Sequence, residues 1–246
     1  MEIFLAIFLG IVQGLTEFLP VSSSGHLVLA QKLIPSFSQP WVLFDVILHF
    51  GTLFAVFFYF RKKIFSLSLS YLALLIVGSI PAALFGFFFK DLLESTFSIG
   101  GIFLAFQFLI TSFICYLSDR SEKGKKEIAI KDSFIIGSAQ ALSILPAISR
   151  SGLTIFAAVQ RGIDRKEAAE FSFLLSIPAI LGANLLEIAS YRNEFSLQPF
   201  VFLLGFLTAF FTGILSIKLT ISLLTKRKFK VFAFYTAFLA IVSLFI

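Results

Sequence analysis

A chain of 246 residues that is 58% hydrophobic and 14% charged, with a mean hydropathy of +0.98, is excluded from the soluble globular class. Its formal charge of +6 comes from basic residues gathered between apolar runs, which reads as loops on one membrane face and not as a nucleic-acid footprint. A single cysteine, Cys115, excludes an intramolecular disulfide and a cysteine metal site.

In chain order, the first apolar run covers residues 3–19 and is not a plain span. It carries Gln13 and Glu17, four apart and so on one face of a helix, and it runs into Pro20, Ser22, Ser23, Ser24, Gly25 and His26. Ionisable groups at membrane depth are expensive, which marks them as functional candidates. The Pro and the Ser-Gly run break the helix, and irregular backbone at that depth must be buried in protein or line a wet cavity. Residues 3–30 therefore read as a re-entrant helical hairpin. No cleavable signal peptide is expected, because no basic residue precedes the apolar run. A loop punctuated by Pro35 and Pro40 follows at 32–40. Spans are expected at 41–60, stopped by Arg61, Lys62 and Lys63, at 71–89, kinked near Gly78 and Pro81, and at 98–117. The sustained charged stretch, 119–132, reads as a linker between two halves.

The second half repeats the first. Residues 137–142 parallel 10–15, and 146–152 parallel 20–25 with one residue more. Residues 133–159 thus read as a second hairpin, followed by spans at 171–189, 199–217 and 229–246. Basic residues cluster at 61–63, 120–131, 161–166 and 226–230, all on one side in this layout, with Lys32, Lys90 and Arg192 on the other. The positive-inside rule makes the clustered side cytoplasmic. Each half, about 1–118 and about 132–246, is then one hairpin plus three spans. Three is odd, so the second half runs upside down relative to the first. The expected fold is an all-α polytopic membrane protein, one domain, with an inverted-topology repeat of six transmembrane helices and two re-entrant hairpins.

Arg150 sits among Ser149, Ser151 and Thr154 beside apolar sequence. A guanidinium does not lose its proton, so burial demands an anionic partner, either Glu17 or a ligand. With the hydroxyls and the start of a following helix, it describes a phosphate-sized anion site. The competing reading is an Arg that snorkels or ties the hairpins together. Glu17 reads as an oxygen ligand of a hard cation, as a base, or as the counter-ion of Arg150. His26 suits acid–base work or direct attack. Ser23 leads the hydroxyl nucleophiles by its place in the break, although Ser22, Ser23 and Ser24 suit helix capping equally well. Asp45 and His49, four apart, read as a polar pair behind the first hairpin, and Glu170 and Glu187 as interfacial.

Together the two stretches resemble the undecaprenyl-diphosphate phosphatase family, also called the bacitracin-resistance family. The first motif reads Gln13-Gly-Leu-Thr-Glu17, then Pro20-Val-Ser-Ser-Ser-Gly-His26; the second reads Pro146-Ala147-Ile-Ser149-Arg150-Ser151-Gly-Leu-Thr154. The stretches from Phe44 to Thr52 and from Glu170 to Pro178 are also similar to the family. The resemblance implies a multi-pass bacterial inner-membrane enzyme that removes the terminal phosphate of undecaprenyl diphosphate, at a site open toward the periplasm. It implies catalytic roles for Glu17, Ser23, His26 and Arg150, with Gln13, Ser22, Ser149, Ser151 and Thr154 around the substrate. It also implies a divalent cation, Mg²⁺ or Ca²⁺, at Glu17 and Gln13. The partners implied are an isoprenoid lipid diphosphate and membrane lipid, with no nucleic acid and with a homodimer left open. Ala147 departs from the motif, which has Gly there; if that position needs a positive φ, Ala costs roughly 1 kcal/mol or more. A polyprenyl-phosphate flippase or transporter on the same inverted repeat is the rival reading.

Overall fold

In a computed structural model of the chain, the described residues are 1–34, 37, 39–89, 100–121, 124, 126–190 and 198–245. They form ten helices: α1 (Glu2–Phe18), α2 (Ser23–Leu33), α3 (Trp41–Phe65), α4 (Leu69–Phe88), α5 (Gly101–Ser118), α6 (Ile130–Leu142), α7 (Arg150–Gln160), α8 (Arg165–Ser190), α9 (Pro199–Thr225) and α10 (Lys230–Ser243). The protein is all-helical among these residues, with one isolated bridge between Lys126 and Ile163. The start of the expected span at Ser98, together with Pro35, Lys90, Lys123 and Arg192, lies outside the described residues.

The breaks have local causes. Leu19 is extended (φ −66°, ψ 145°), as a residue before proline must be, and this ends α1. Ser22 then caps α2, accepting from the Gly25 N–H at 3.3 Å, in a positive-φ conformation (67°). Ser149 caps α7 in the same way, accepting from Gly152 N–H at 3.1 Å, but with φ −70°. Strain therefore falls on the first break at Ser22. Ala147, buried in the second break, is not among the described residues with positive φ, so its methyl group carries no backbone cost.

Several boundaries differ from expectation. α3 continues through Arg61–Lys63 to Phe65, because cations are favourable at a helix C-terminus. α8 begins at Arg165, six residues before the expected start, where Asp164 Oδ1 accepts from the N–H groups of Lys166 (2.9 Å) and Glu167 (3.3 Å). Among the described residues five helices, α3, α4, α5, α8 and α9, are long and apolar enough to cross a membrane. α10 has 14 residues, about 21 Å of helix against a hydrocarbon core of about 30 Å, and so does not meet that test as the expected sixth span.

Small residues let the hairpins pack closely. α1 lies along α9 and α6 along α4. A Cβ on Gly10 would overlap Thr208 Oγ1 and stand 2.6 Å from the Gly205 carbonyl oxygen; one on Gly14 would overlap Thr212 Oγ1 and stand 2.6 Å from that of Ala209. Ser216 donates to the Leu15 carbonyl (2.6 Å) and Thr220 to that of Phe18 (3.2 Å). A Cβ on Gly137 would likewise overlap the Gly78 carbonyl, which brings α6 onto α4. This is the small-residue packing expected where burial against lipid supplies no driving force.

The basic helix ends meet at one end of the bundle. Arg165 donates to the carbonyls of Ser118 (3.0 Å) and Ser121 (2.9 Å), Lys63 pairs with Glu170, and the Lys230 N–H bonds Asp119 Oδ2 at 2.9 Å. There Asp132 opens α6, fully buried, paired with Lys126 (2.6 Å) and Arg161 (2.8 Å). Burial alone would raise its carboxyl; the hydrogen bonds from Lys126, Arg161 and the Ala129 N–H outweigh it and hold the group at about 2.

Candidate active site

The tips of the two hairpins touch. Ser22 Oγ donates to the Pro146 carbonyl (2.6 Å), as does Ser24 Oγ, and Ser151 Oγ donates to the Leu19 carbonyl (3.1 Å). One face of α5 clamps both breaks. Gln107 Oε1 accepts from Ala147 N–H (3.0 Å), Thr111 Oγ1 donates to the Ala147 carbonyl (2.8 Å), and Cys115 Sγ donates to that of Pro20 (3.2 Å). These three residues are four apart in an apolar helix, a spacing that could have been read from the sequence.

The matched caps put Ser23 and Arg150 at the first helical position of α2 and α7, and both reach the same carboxylate. Glu17, 7% exposed, accepts Ser23 Oγ at 2.5 Å and Gln13 Nε2 at 3.1 Å on Oε2, and Arg150 NH2 at 2.7 Å on Oε1. Gln13 and Glu17 are buried, while Ser23 and Arg150 are partly exposed above them, so the cluster has a floor and an open side. A hydroxyl bonded to a carboxylate that is itself oriented by a third group is the arrangement of an activated nucleophile.

His26 is not bonded to Ser23. Its Nδ1 stands 2.6 Å from the Ser22 carbonyl and its Nε2 2.8 Å from the Tyr235 hydroxyl, with the two rings stacked at 5.6 Å. A carbonyl only accepts, so Nδ1 carries the proton and the neutral ring accepts from Tyr235 at Nε2. Tyr235, on α10, was missed from sequence because nothing in its local pattern distinguishes it from a lipid-facing aromatic. His49 lies closer to the site than a supporting role suggests, with Nε2 3.9 Å from Glu17 Oε2. Its neighbour Asp45 accepts from Gln31 Nε2 at 2.9 Å.

The remaining hydroxyls expected around the substrate face inward. Ser149 Oγ caps α7 and lies 3.2 Å from Ser151 Oγ. Thr154, fully buried, donates to the Arg150 carbonyl at 2.7 Å and stands 2.6 Å from Ser172 Oγ. Together with Ser22, they hold the breaks in shape in this structure.

Oxygen donors suited to a hard cation are present. Gln13 is fully buried, its Oε1 has no hydrogen-bond partner, and its amide adjoins the Glu17 carboxylate. An orphaned buried carbonyl oxygen beside a carboxylate fits a divalent ion. Among the described residues no three His, Cys, Asp or Glu side chains stand together as a ligand cluster, so Glu17 and Gln13 would leave much of the shell to a ligand.

A family model described as "Bacitracin resistance protein BacA" matches residues 6–242. Among curated relatives, "Undecaprenyl-diphosphatase 4" of Bacillus thuringiensis (strain Al Hakam) is 45% identical over 246 residues, covering 96% of this chain and 94% of the relative. "Undecaprenyl-diphosphatase" of Carboxydothermus hydrogenoformans is 43% identical, covering 99% and 97%, and that of Syntrophotalea carbinolica is 40% identical, covering 94% and 93%.

Proposed function

The chain belongs to the bacitracin resistance protein BacA family, and from that premise we propose that it is an undecaprenyl-diphosphatase, a multi-pass membrane hydrolase that releases the terminal phosphate of undecaprenyl diphosphate. One observation carries the site assignment: the Glu17 carboxylate binds the Ser23 hydroxyl on one oxygen and the Arg150 guanidinium on the other.

In the structure Arg150 rests on Glu17. The diphosphate competes for the guanidinium, whose planar fork matches two phosphoryl oxygens. As Arg150 turns to the phosphate, Glu17 is freed to take the Ser23 proton. Ser23 Oγ attacks the terminal phosphorus in line, the bridging P–O bond breaks, and undecaprenyl phosphate leaves with the bridging oxygen. Water then attacks the phosphoserine, yielding inorganic phosphate and restoring Ser23. The N-termini of α2 and α7, both directed at the tips, offer backbone N–H groups to the phosphoryl oxygens. His26, held by Tyr235, flanks the site as an acid–base group. When bound at Glu17 and Gln13, a Mg²⁺ or Ca²⁺ ion would offset charge on the phosphoryl oxygens. An apolar cleft of about 270 Å³ between α5 and α10, lined by Leu109, Phe113 and Phe234, suits part of a polyprenyl tail.

The proposed architecture is an inverted repeat with two re-entrant hairpins and α10 as a short sixth span. It is supported by the reciprocal packing of α1 on α9 and α6 on α4. The basic end then faces the cytoplasm, with the substrate entering from the periplasmic side of a bacterial inner membrane. The flippase reading has no support in the names of these relatives.

The test is phosphate release by purified protein given a polyprenyl diphosphate. Wild type turns over, Ser23→Ala abolishes release, and His26→Ala keeps a residue of activity because Glu17 is the hydroxyl's partner. Higher activity in Ser23→Ala than in His26→Ala, with both proteins folded, moves the nucleophile to the histidine.

A further inference from the structure

His49 presents a bare nitrogen to the site. Its Nδ1 is 2.8 Å from the Asp45 carbonyl oxygen, which can only accept, so the proton sits on Nδ1 and the neutral ring's Nε2 is a lone pair. That lone pair faces Glu17 Oε2 at 3.9 Å, too far for a direct hydrogen bond. The buried, unpartnered Gln13 Oε1 belongs to the amide bonded to that same carboxylate oxygen. Glu17 Oε2 takes the Ser23 hydroxyl and the Gln13 amide N–H, and neither donor serves His49 Nε2 or Gln13 Oε1. A nitrogen lone pair and a carboxylate oxygen facing each other repel unless something electropositive lies between them. A second proton on His49 would supply a cation, but Glu17 already has one in Arg150 at 2.7 Å, and the Gln13 oxygen would stay unserved.

We propose that His49 is a nitrogen ligand to the divalent cation held at Glu17 and Gln13, so that Mn²⁺, which accepts nitrogen, gains more from His49 than Ca²⁺ does. The inference rests on the reading of Glu17 and Gln13 as cation holders. Two atoms ligating one ion at about 2.1 Å each stand no more than about 4.2 Å apart, and the observed 3.9 Å falls inside that limit. A carbonyl on the far ring nitrogen is the usual outer-shell partner of a metal-binding histidine. Mixed carboxylate, amide and imidazole donors disfavour Ca²⁺, which takes oxygen throughout.

The experiment uses the purified full chain with MnCl₂ and CaCl₂ as separate probes, by titration calorimetry and by electron-spin-echo spectroscopy of the bound Mn²⁺. Wild type is expected to show nitrogen coupling from one imidazole. His49→Asn is expected to lose that coupling and to bind Mn²⁺ at least about tenfold more weakly, with Ca²⁺ binding changed by less than about twofold. Glu17→Gln is expected to weaken both ions. A wild-type Mn²⁺ spectrum without nitrogen coupling, or coupling that survives in His49→Asn, overturns the assignment and leaves the cation site standing. Binding of neither ion, or binding indifferent to Glu17→Gln, overturns the cation site as well. The wild-type spectrum decides the point even if the variant does not fold.

Discussion

At the residue scale the site turns on Glu17, whose two oxygens hold the proposed nucleophile and the anion binder. Arg150→Lys keeps the charge but loses the fork, so phosphate release should fall about a hundredfold, the usual cost of one preorganised donor, with an unchanged melting midpoint. Near-wild-type turnover would mean that a point charge suffices. Gln13, Glu17, Ser23, His26 and Arg150 were legible in the sequence because each is a polar group that apolar surroundings do not otherwise need. What those groups bond to was not legible. Spacing four links Gln13 to Glu17, but the contacts of Glu17 with His49 and of His26 with Tyr235 join distant helices, and no local pattern encodes them. The partners of Ser149, Ser151 and Thr154 were not legible either: Ser149 accepts from the Gly152 N–H, and Ser151 and Thr154 donate to the Leu19 and Arg150 carbonyls.

At the element scale, the two helix breaks were legible from their Pro and Ser-Gly residues, and the helices that follow them are both capped by serine. The helix ends were less so, since α3 and α8 run through charged residues that read as stops. The reason for Gly10, Gly14 and Gly137 became plain only with the partner helices in place. Gly14→Ala tests the α1–α9 contact. Helix propensity would favour alanine by about 1 kcal/mol, while forcing a methyl group into a closed contact costs typically about 1 to 3 kcal/mol. The clash should win, and the melting midpoint in detergent should drop. A midpoint at or above wild type would mean that the two helices are not in close contact.

At the scale of the whole molecule, the basic clusters anticipated which helix ends share a side, because charge distribution survives any error in helix boundaries. In a Cys115→Ser background, a cysteine at Lys32 should react with an impermeant thiol reagent from outside intact cells, and one at Lys228 only after permeabilisation. Labelling of the 228 position from outside would reverse the proposed orientation. The exchange of partners between halves, α1 on α9 and α6 on α4, has a consequence for how the protein is made. The ribosome delivers α1 first and its partner late. At roughly 5 to 20 residues per second, the roughly 180 residues between them take on the order of ten to forty seconds to emerge. Through that interval the nascent first hairpin has neither the glycine contacts of α9 nor, until the second break emerges, the cation that balances Glu17. It must wait at the insertion machinery or in a shallow, wet position, and the proposed active site is therefore among the last parts of the chain to assemble.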